Sequence, residues 1–205
     1  MAERRLHLRR RADGAVLAAA MLAGAASAAP VTVTVTDSAG KPLQEAVVYA
    51  LVKGQPQQTT TATAEIGQRD KQFQPHVTVV QTGTSVSFPN FDTVRHHVYS
   101  FSPVRTFELK LYAGTPAKPV VFDRPGTAAL GCNVHDRMTA WVHVVDTPLF
   151  AKTDAQGQAK LELPAGSHLL RAWHFSQPGT ALPAEVPLQV GGTPVRAAVQ
   201  IAAGG

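Results

Sequence analysis

The chain has 205 residues, of which 19 are Lys or Arg and 14 are Asp or Glu. That length allows one or two ordinary domains with hydrophobic cores. Five of the arginines and two of the acidic residues lie within residues 1–28, which leaves 14 basic and 12 acidic side chains beyond them. These charges form no basic run, and this argues against a nucleic-acid-binding function.

Residues 1–28 have the pattern of a secretory signal peptide. An arginine-rich head is followed by an apolar, alanine-rich stretch from Ala15 to Ala26. Ala26-Ser27-Ala28 supplies the small residues that a signal peptidase requires, so we predict cleavage after Ala28, or after Ala29. An uncleaved membrane anchor is the alternative, but the apolar stretch is too short for a stable transmembrane helix. The sequence therefore predicts a periplasmic protein whose mature form has no membrane span.

The rest of the chain has the pattern of short β-strands. Val31–Val35 alternates valine with threonine, which is typical of a strand with one apolar face. Further β-branched or apolar runs recur from Ala46 to Ile201, separated by turns rich in Gly, Pro and Asp. A Gln- and Thr-rich segment at 54–65 predicts a loop or linker. Because no stretch has helical periodicity, we predict an all-β sandwich or barrel.

Two segments that flank the middle of the chain carry a family resemblance. The first is TDSAGKPLQEAVVYAL at 36–51, and the second is TDAQGQAKLELPAGSHLLRAWH at 153–174. They resemble the opening and closing halves of carboxypeptidase-regulatory-like (transthyretin-like) sandwiches. The resemblance implies one small sandwich formed by 29–65 and 148–205, with a middle domain inserted at 66–147. Two flanking pieces that pack independently are the alternative.

Cys132 is the one cysteine of the chain. In an oxidising, exported compartment cysteines usually occur in disulfide pairs, and this one has no partner within the chain. It could be a buried small hydrophobic residue, an intermolecular link, a reactive thiol or a metal ligand. The residues that come after it favour the last of these.

Cys132, His135 and Met138 have a C-x-x-H-x-x-M spacing in a predicted hairpin loop. A loop of this length can direct all three side chains towards one point. A soft thiolate, an imidazole and a thioether together suit copper, and a weak axial thioether is typical of a type 1 (blue) copper site. Such a site requires a second imidazole from elsewhere in the chain. His96, at the start of a predicted strand, offers one.

Two motifs then carry a second resemblance. The pattern V-x-F-x-N-x-D-x-x-x-H-x-V at 86–98 and the pattern G-C-x-x-H-x-x-M at 131–138 resemble the plastocyanin/amicyanin branch of the cupredoxins. The wider sequence resembles exported bacterial plastocyanin-like proteins that are often labelled methylamine utilisation proteins. The resemblance implies a cupredoxin Greek-key β-sandwich or barrel at about 68–147. It also implies one type 1 copper ion.

The resemblance assigns the copper ligands by position. His96, Cys132 and His135 would form the strong trigonal set, and Met138 would be the long axial ligand. In plastocyanins the residue after the first histidine ligand is commonly Asn, whose side chain braces the cysteine loop. Here that residue is His97. This departure puts the bracing in question and leaves His97 as an alternative ligand.

Other polar residues lie outside the ligand pattern. Asp136 and Arg137, inside the ligand loop, are expected to face solvent or a partner. The remaining histidines of the middle and last segments are interpreted as surface or strand residues; they are His76, His143, His168 and His174.

The predicted function is one-electron transfer in the periplasm, without enzymatic activity. A trigonal thiolate and bis-imidazole site accommodates both copper oxidation states and leaves no open position for a substrate. A redox partner protein would dock over the apolar surface around His135, the expected electron port. The alternative is a copper-binding, delivery or sensing module that does not shuttle electrons. A metal-free structural role is a third hypothesis, and substitution of Cys132 by serine would test it.

Overall fold

The computed structural model describes residues 28–116, 118–179 and 181–202. All of the regular secondary structure in these ranges is β-strand, so the predicted all-β class is confirmed. Within the same ranges, no helix has the length and apolar character to span a membrane. The predicted signal peptide lies outside the described residues except for Ala28, which is the first residue of the first strand.

The strands are short and follow one another closely along the chain. In chain order they are β1 (Ala28–Asp37), β2 (Val47–Val52), β3 (Thr63–Glu65), β4 (Gly67–Arg69), β5 (Gln72–Gln74), β6 (Val77–Gln81), β7 (Thr84–Ser87), β8 (His96–Ser100), β9 (Phe107–Tyr112), β10 (Val120–Phe122), β11 (Gly126–Gly131), β12 (Thr139–Val145), β13 (Phe150–Lys152), β14 (Gln158–Pro164), β15 (Gly166–Trp173), β16 (Ala184–Val190) and β17 (Val195–Ile201).

The first and last segments of the described chain form one pair of sheets, which we call the flanking sandwich. Its first sheet has the order β14-β1-β17, with β1 antiparallel to β14 and parallel to β17. Its second sheet has the order β13-β2-β15-β16. Val31, Val33 and Val35 of β1 are fully buried and pack with Leu163 and Leu170 in the core between the sheets. The alternating valines therefore supply one side of this core, while the threonines between them face outward.

The flanking sandwich is built from strands that are far apart in sequence. Val33 of β1 pairs with Ala159 of β14, and Ala50 of β2 pairs with Leu170 of β15. Such pairing is what a sandwich interrupted by an insertion requires. The transthyretin-like assignment and the domain boundaries at 66 and 147 stay predictions.

Strands β3 to β12 form a second pair of sheets, the central sandwich. One sheet has the order β6-β12-β11-β8-β9, and the other has the order β10-β7-β3. The hairpin β4–β5 lies beside them. Phe88, Phe122, Val98 and Val142 are buried in the core between these sheets. Short, twisted sheets packed face to face in this way are the ordinary form of a β-sandwich.

The two sandwiches contact each other through a separate apolar cluster. Val47, Tyr49 and Trp173 of the flanking sandwich pack here against Val77 and Val145 of the central sandwich. Side chains alternate between the two faces of a strand, so β12 supplies the central core with one face and this contact with the other. The copper-site prediction concerns the central sandwich alone.

Several elements differ from the sequence prediction. The hairpin β4–β5 and strand β13 were not predicted, because three-residue strands are too short to show a period. Segment 54–65, predicted as a loop, ends in β3, which pairs with β7 of the central sandwich. Strand β3 is largely exposed and gains its stability from pairing, which local composition does not reveal.

The interpretation of His174 as a surface or strand residue is wrong. His174 is buried and follows the end of β15, and its Nε2 atom lies 3.0 Å from the carbonyl oxygen of Gln44. Its ring also packs against that of Phe175. His143 and His168 do lie in strands, although both are buried.

Candidate metal centre

The four residues predicted to hold copper lie at the ends of neighbouring strands. His96 is the first residue of β8, and Cys132 directly follows β11. His135 lies in the loop that leads to β12, and Met138 is the last residue before that strand. Because β8 and β11 are paired in one sheet, the remote histidine and the cysteine loop come to the same edge of it.

Three of these side chains converge on one point. The ligand atoms that His96, Cys132 and His135 can offer all lie within 4.8 Å of one another. The Sγ atom of Cys132 is 3.9 Å from Nδ1 of His96, and the imidazole rings of His96 and His135 are 5.1 Å apart between centroids, at 60°. Within the described residues, Nδ1 of His135 is buried and has no hydrogen-bond partner. A buried imidazole nitrogen left in this way is suited to bind a metal ion, so the donor set fits copper.

Met138 is fully buried in the same apolar cluster as Cys132. Its backbone N–H donates to the carbonyl oxygen of His135 at 2.9 Å, which closes a tight turn within the loop. The thioether is thus held inside the central sandwich. The role of Met138 as axial ligand stays a prediction.

His96 and His97 point in different directions, as consecutive residues of a strand do. His96 is fully buried and faces Cys132. The Nε2 atom of His97 lies 3.0 Å from Oε1 of Glu108 on the neighbouring strand β9. The cluster therefore contains His96 and not His97.

Gly131, which precedes the cysteine, lies under an aromatic ring. A Cβ atom at this position would approach the ring of Tyr99 to 2.6 Å, which is closer than any real contact. Gly131 pairs with Tyr99 of β8 on one side and with Thr139 of β12 on the other. The absence of a side chain lets the ring cover the backbone directly before Cys132.

His96 also has a carboxylate partner, which the ligand assignment did not include. Oδ2 of Asp92 lies 2.7 Å from Nε2 of His96. Burial raises the pKa of Asp92, but hydrogen bonds from the backbone of Lys71, from His96 and from the backbone of Asp70 outweigh it, so the pKa lies below its usual value. Asp92 is therefore an anion at neutral pH. It belongs to the motif that carries the cupredoxin resemblance, yet the motif itself assigns no role to it.

A buried polar group supports the segment that leads to His96. The side-chain amide of Gln68 donates to the hydroxyl of Tyr112 and to the carbonyl oxygen of Phe88. The Tyr112 hydroxyl also donates to Phe88 O, at 2.6 Å. Burial raises the pKa of Tyr112 to about 12, so the phenol keeps its proton. Hairpin β4–β5, which contributes Gln68, was missed by the sequence prediction, and its supporting role was missed with it.

A buried histidine outside the ligand cluster, His143, lies where the two sandwiches meet. The ring of His143 stacks on Trp173 with centroids 4.6 Å apart and planes 12° apart, and Nδ1 lies 2.9 Å from the hydroxyl of Thr127. Burial lowers the pKa of His143 to about 3, so the ring is neutral. A cavity of about 520 Å³ beside it, lined in part by Tyr49, contains none of the predicted copper ligands.

Among known proteins, the chain is similar to solved structures. No protein-family model matches the chain, and no curated protein matches it. A purple cupredoxin from Nitrosopumilus maritimus is 20% identical, aligns over 40% of this chain and 98% of its own, and has a TM-score of 0.35. An oxidised point mutant of amicyanin is 16% identical, aligns over 47% of this chain and 98% of its own, and has a TM-score of 0.37.

A copper-containing nitrite reductase from Thermus scotoductus is a third similar structure. It is 19% identical, and the alignment covers 57% of this chain and 28% of the reductase, with a TM-score of 0.38.

Proposed function

We propose that the chain is a type 1 copper protein that transfers single electrons in the periplasm. The observation that carries the proposal is the convergence of one thiol and two imidazoles, from His96, Cys132 and His135, within 4.8 Å. Met138, buried in the same cluster, would be the weak axial ligand. Copper held by such a set passes between two oxidation states with little rearrangement, which suits electron transfer.

The chain's own residues would keep that rearrangement small. Cys132 and Met138 are buried in the core of the central sandwich, so neither side chain is free to swing away. His96 is fixed at the first residue of a paired strand, and its ring is fully buried. Together with His135 these residues would give copper four donors and leave no position for a substrate, and we therefore propose an electron carrier and not an enzyme.

His135 is the proposed electron port. It is the partly exposed member of the cluster, whereas His96 and Cys132 are buried. Its neighbour Val134 is 49% exposed, and Phe91 and Val94 of the segment before His96 are also exposed. An exposed apolar side chain next to a partly exposed ligand, with two more on the segment that leads to His96, favours a small, transient interface with a redox partner protein.

Copper loading of the full protein, followed by an optical spectrum, tests the proposal. We expect one copper ion for each chain, an intense visible thiolate-to-copper band and rapid, reversible reduction. The Cys132→Ser variant should lose the band, because serine cannot provide the thiolate. Retention of colourless Cu(I) with transfer to an acceptor would instead support copper delivery or sensing. The metal-free structural role survives only if Cys132→Ser leaves the metal content unchanged, and a parent protein that takes up no copper would support it.

A further inference from the structure

The carboxylate of Asp92 contacts the ring nitrogen of His96 that is not the one nearest the cysteine. Oδ2 of Asp92 accepts a hydrogen bond from Nε2 of His96 at 2.7 Å, and the histidine ring is fully buried. With the proton held on Nε2, Nδ1 presents its lone pair towards Cys132, whose Sγ atom is 3.9 Å away. The proton on the far nitrogen of a ligating histidine fixes both its tautomer and the orientation of its ring.

Asp92 is in turn held by a backbone turn from another part of the chain. The N–H of Asp70 donates to Oδ1 at 2.7 Å, and the N–H of Lys71 donates to Oδ2 at 2.9 Å. These residues form the two-residue turn of hairpin β4–β5, and their φ angles are 55° and 57°. Two consecutive N–H groups in such a turn create a small anion-binding concavity.

The composition of this turn is unusual for its conformation. Two-residue hairpin turns with positive φ at both positions strongly favour Asn-Gly or Asp-Gly, whereas this one has Asp70-Lys71. A lysine in this region of φ costs roughly 1–2 kcal/mol relative to the right-handed region. The hydrogen bonds to the Asp92 carboxylate help to hold the turn in place. The Asp70-Lys71 turn therefore fixes the Asp92 carboxylate, and the carboxylate in turn stabilises the conformation of the turn.

The backbone around Asp92 is fixed as well. Its own N–H donates to the side-chain oxygen of Asn90 at 2.9 Å. The amide group of Asn90 donates to the carbonyl oxygens of Val94 and Tyr112 at 2.8 and 3.1 Å. The segment from Asn90 to His96 is thus closed by side-chain hydrogen bonds. These hydrogen bonds brace the segment that leads to His96.

We propose that Asp92, clamped by the Asp70-Lys71 turn, is a positioning residue that orients His96 and lowers the reduction potential of the bound copper. This inference rests on the proposed copper function and names what tunes the same site. A carboxylate hydrogen-bonded to a ligating imidazole makes that imidazole a stronger donor. A stronger donor stabilises the more highly charged Cu(II) state relative to Cu(I), and the reduction potential falls.

The test compares two substitutions that remove the same charge. Asp92→Asn removes the negative charge from the hydrogen bond to His96. Asp136→Asn removes a negative charge from the exposed residue next to His135, and thus close to the same site. In Asp92→Asn we expect a higher reduction potential and Cu(II) affinity lowered by about 10- to 100-fold. In Asp136→Asn both quantities should change much less.

Equal shifts of the reduction potential in the two variants would overturn the proposal. The loss of a nearby negative charge would then explain the shift without the hydrogen bond to His96. A potential in Asp92→Asn that matches the parent would also overturn it. Circular dichroism and thermal unfolding of the copper-free variants establish that each is folded. Should Asp92→Asn fail to fold, Asp92→Glu provides a second test, since it keeps the charge but changes its reach to Nε2.

A measurement without metal separates this inference from the copper proposal. Nitrogen-15 NMR of the copper-free protein reports which ring nitrogen of His96 carries the proton. We expect the Nε2–H tautomer in the parent and in Asp136→Asn, and a loss of that preference in Asp92→Asn. If the parent shows this tautomer but takes up no copper, the proposed function fails while the positioning by Asp92 stands. If the parent takes up copper but Asp92→Asn leaves the tautomer unchanged, only the positioning fails.

Discussion

The Nδ1 atom of His96 lies 3.9 Å from Sγ of Cys132, although 36 residues separate them in the chain. The two residues come together because β8 and β11 pair at their ends, where Gly131 opposes Tyr99. A strand pair places only one of two consecutive histidines on the inner side. This geometry distinguishes His96 from His97, which the sequence left as alternatives.

Alanine substitution of the two adjacent histidines should have opposite consequences for copper. His96→Ala removes an imidazole from the cluster with Cys132 and His135, so we expect the loss of stoichiometric copper and of the visible band. His97→Ala removes a contact to Glu108 on the outer side of the sheet, so the band should remain. Copper content and the optical spectrum of both variants measure this. The reverse pattern would make His97 the ligand.

Gly131→Ala should destabilise the protein through a clash with Tyr99. The added Cβ atom would lie 2.6 Å from the aromatic ring, so the ring or the backbone before Cys132 must move. Overpacking of this kind costs about 1–3 kcal/mol. The free energy of unfolding in urea measures the cost.

A double-mutant cycle identifies the ring as the cause. In the Tyr99→Ala background the space above Gly131 is open, so Gly131→Ala should have a much smaller effect there. An equal cost in both backgrounds would show that the strain arises elsewhere in the strand pair.

The spacing within the ligand loop predicted that Cys132 and His135 lie close together, as they do in the structure, whereas Met138 as a ligand stays a prediction. Cys132, His135 and Met138 share one loop, and their spacing alone indicates that they can face one point. The valines of β1 also show their burial directly, through alternation with threonine. Both signals are short-range and do not depend on how the chain folds.

Features that arise from distant parts of the chain were not predictable in the same way. The contact between Asp92 and the Asp70-Lys71 turn joins residues 22 and 21 positions apart, and that turn lacks the glycine that usually marks a hairpin. The burial of His143 depends on Trp173, which belongs to the other sandwich. Composition gives no indication of either contact, because each is created by tertiary packing.

Lys71→Gly should stabilise the protein without affecting the copper site. Glycine adopts the positive φ of 57° at this position without steric cost, and it keeps the N–H that donates to Asp92. After allowance for the greater freedom of glycine in the unfolded chain, we expect a gain of roughly 0.5–1 kcal/mol. Chemical denaturation and the reduction potential measure the two effects.

Lys110→Gly is the matched control for that substitution. Lys110 is an exposed lysine within strand β9, where φ is negative and a glycine only weakens the strand. We expect a loss of roughly 0.5–1 kcal/mol there. If both glycine variants were destabilised alike, the turn at Asp70-Lys71 would carry no conformational cost.

His143 should make the stability of the copper-free protein depend on pH. Burial lowers its folded-state pKa to about 3, from 6.5 in the unfolded chain. As the pH falls below 6.5, the unfolded chain binds a proton that the folded protein does not. The contribution of His143 is therefore fully present above that pH and is lost at about 1.4 kcal/mol for each pH unit below it. Urea denaturation at pH 7 and pH 5 measures the loss.

Two variants separate the titration of His143 from its packing. His143→Phe keeps a ring that can stack on Trp173 but does not titrate, so the part of the pH dependence that belongs to His143 should disappear. Thr127→Val removes the hydroxyl 2.9 Å from Nδ1 and leaves the imidazole in place, so most of that dependence should persist. His174, whose pKa burial also lowers, is present in both variants and cancels in the comparison. The free energy of unfolding could instead change equally between pH 7 and pH 5 in the parent and in His143→Phe. That result would show that the ring of His143, at the contact between the sandwiches, is protonated in the folded state.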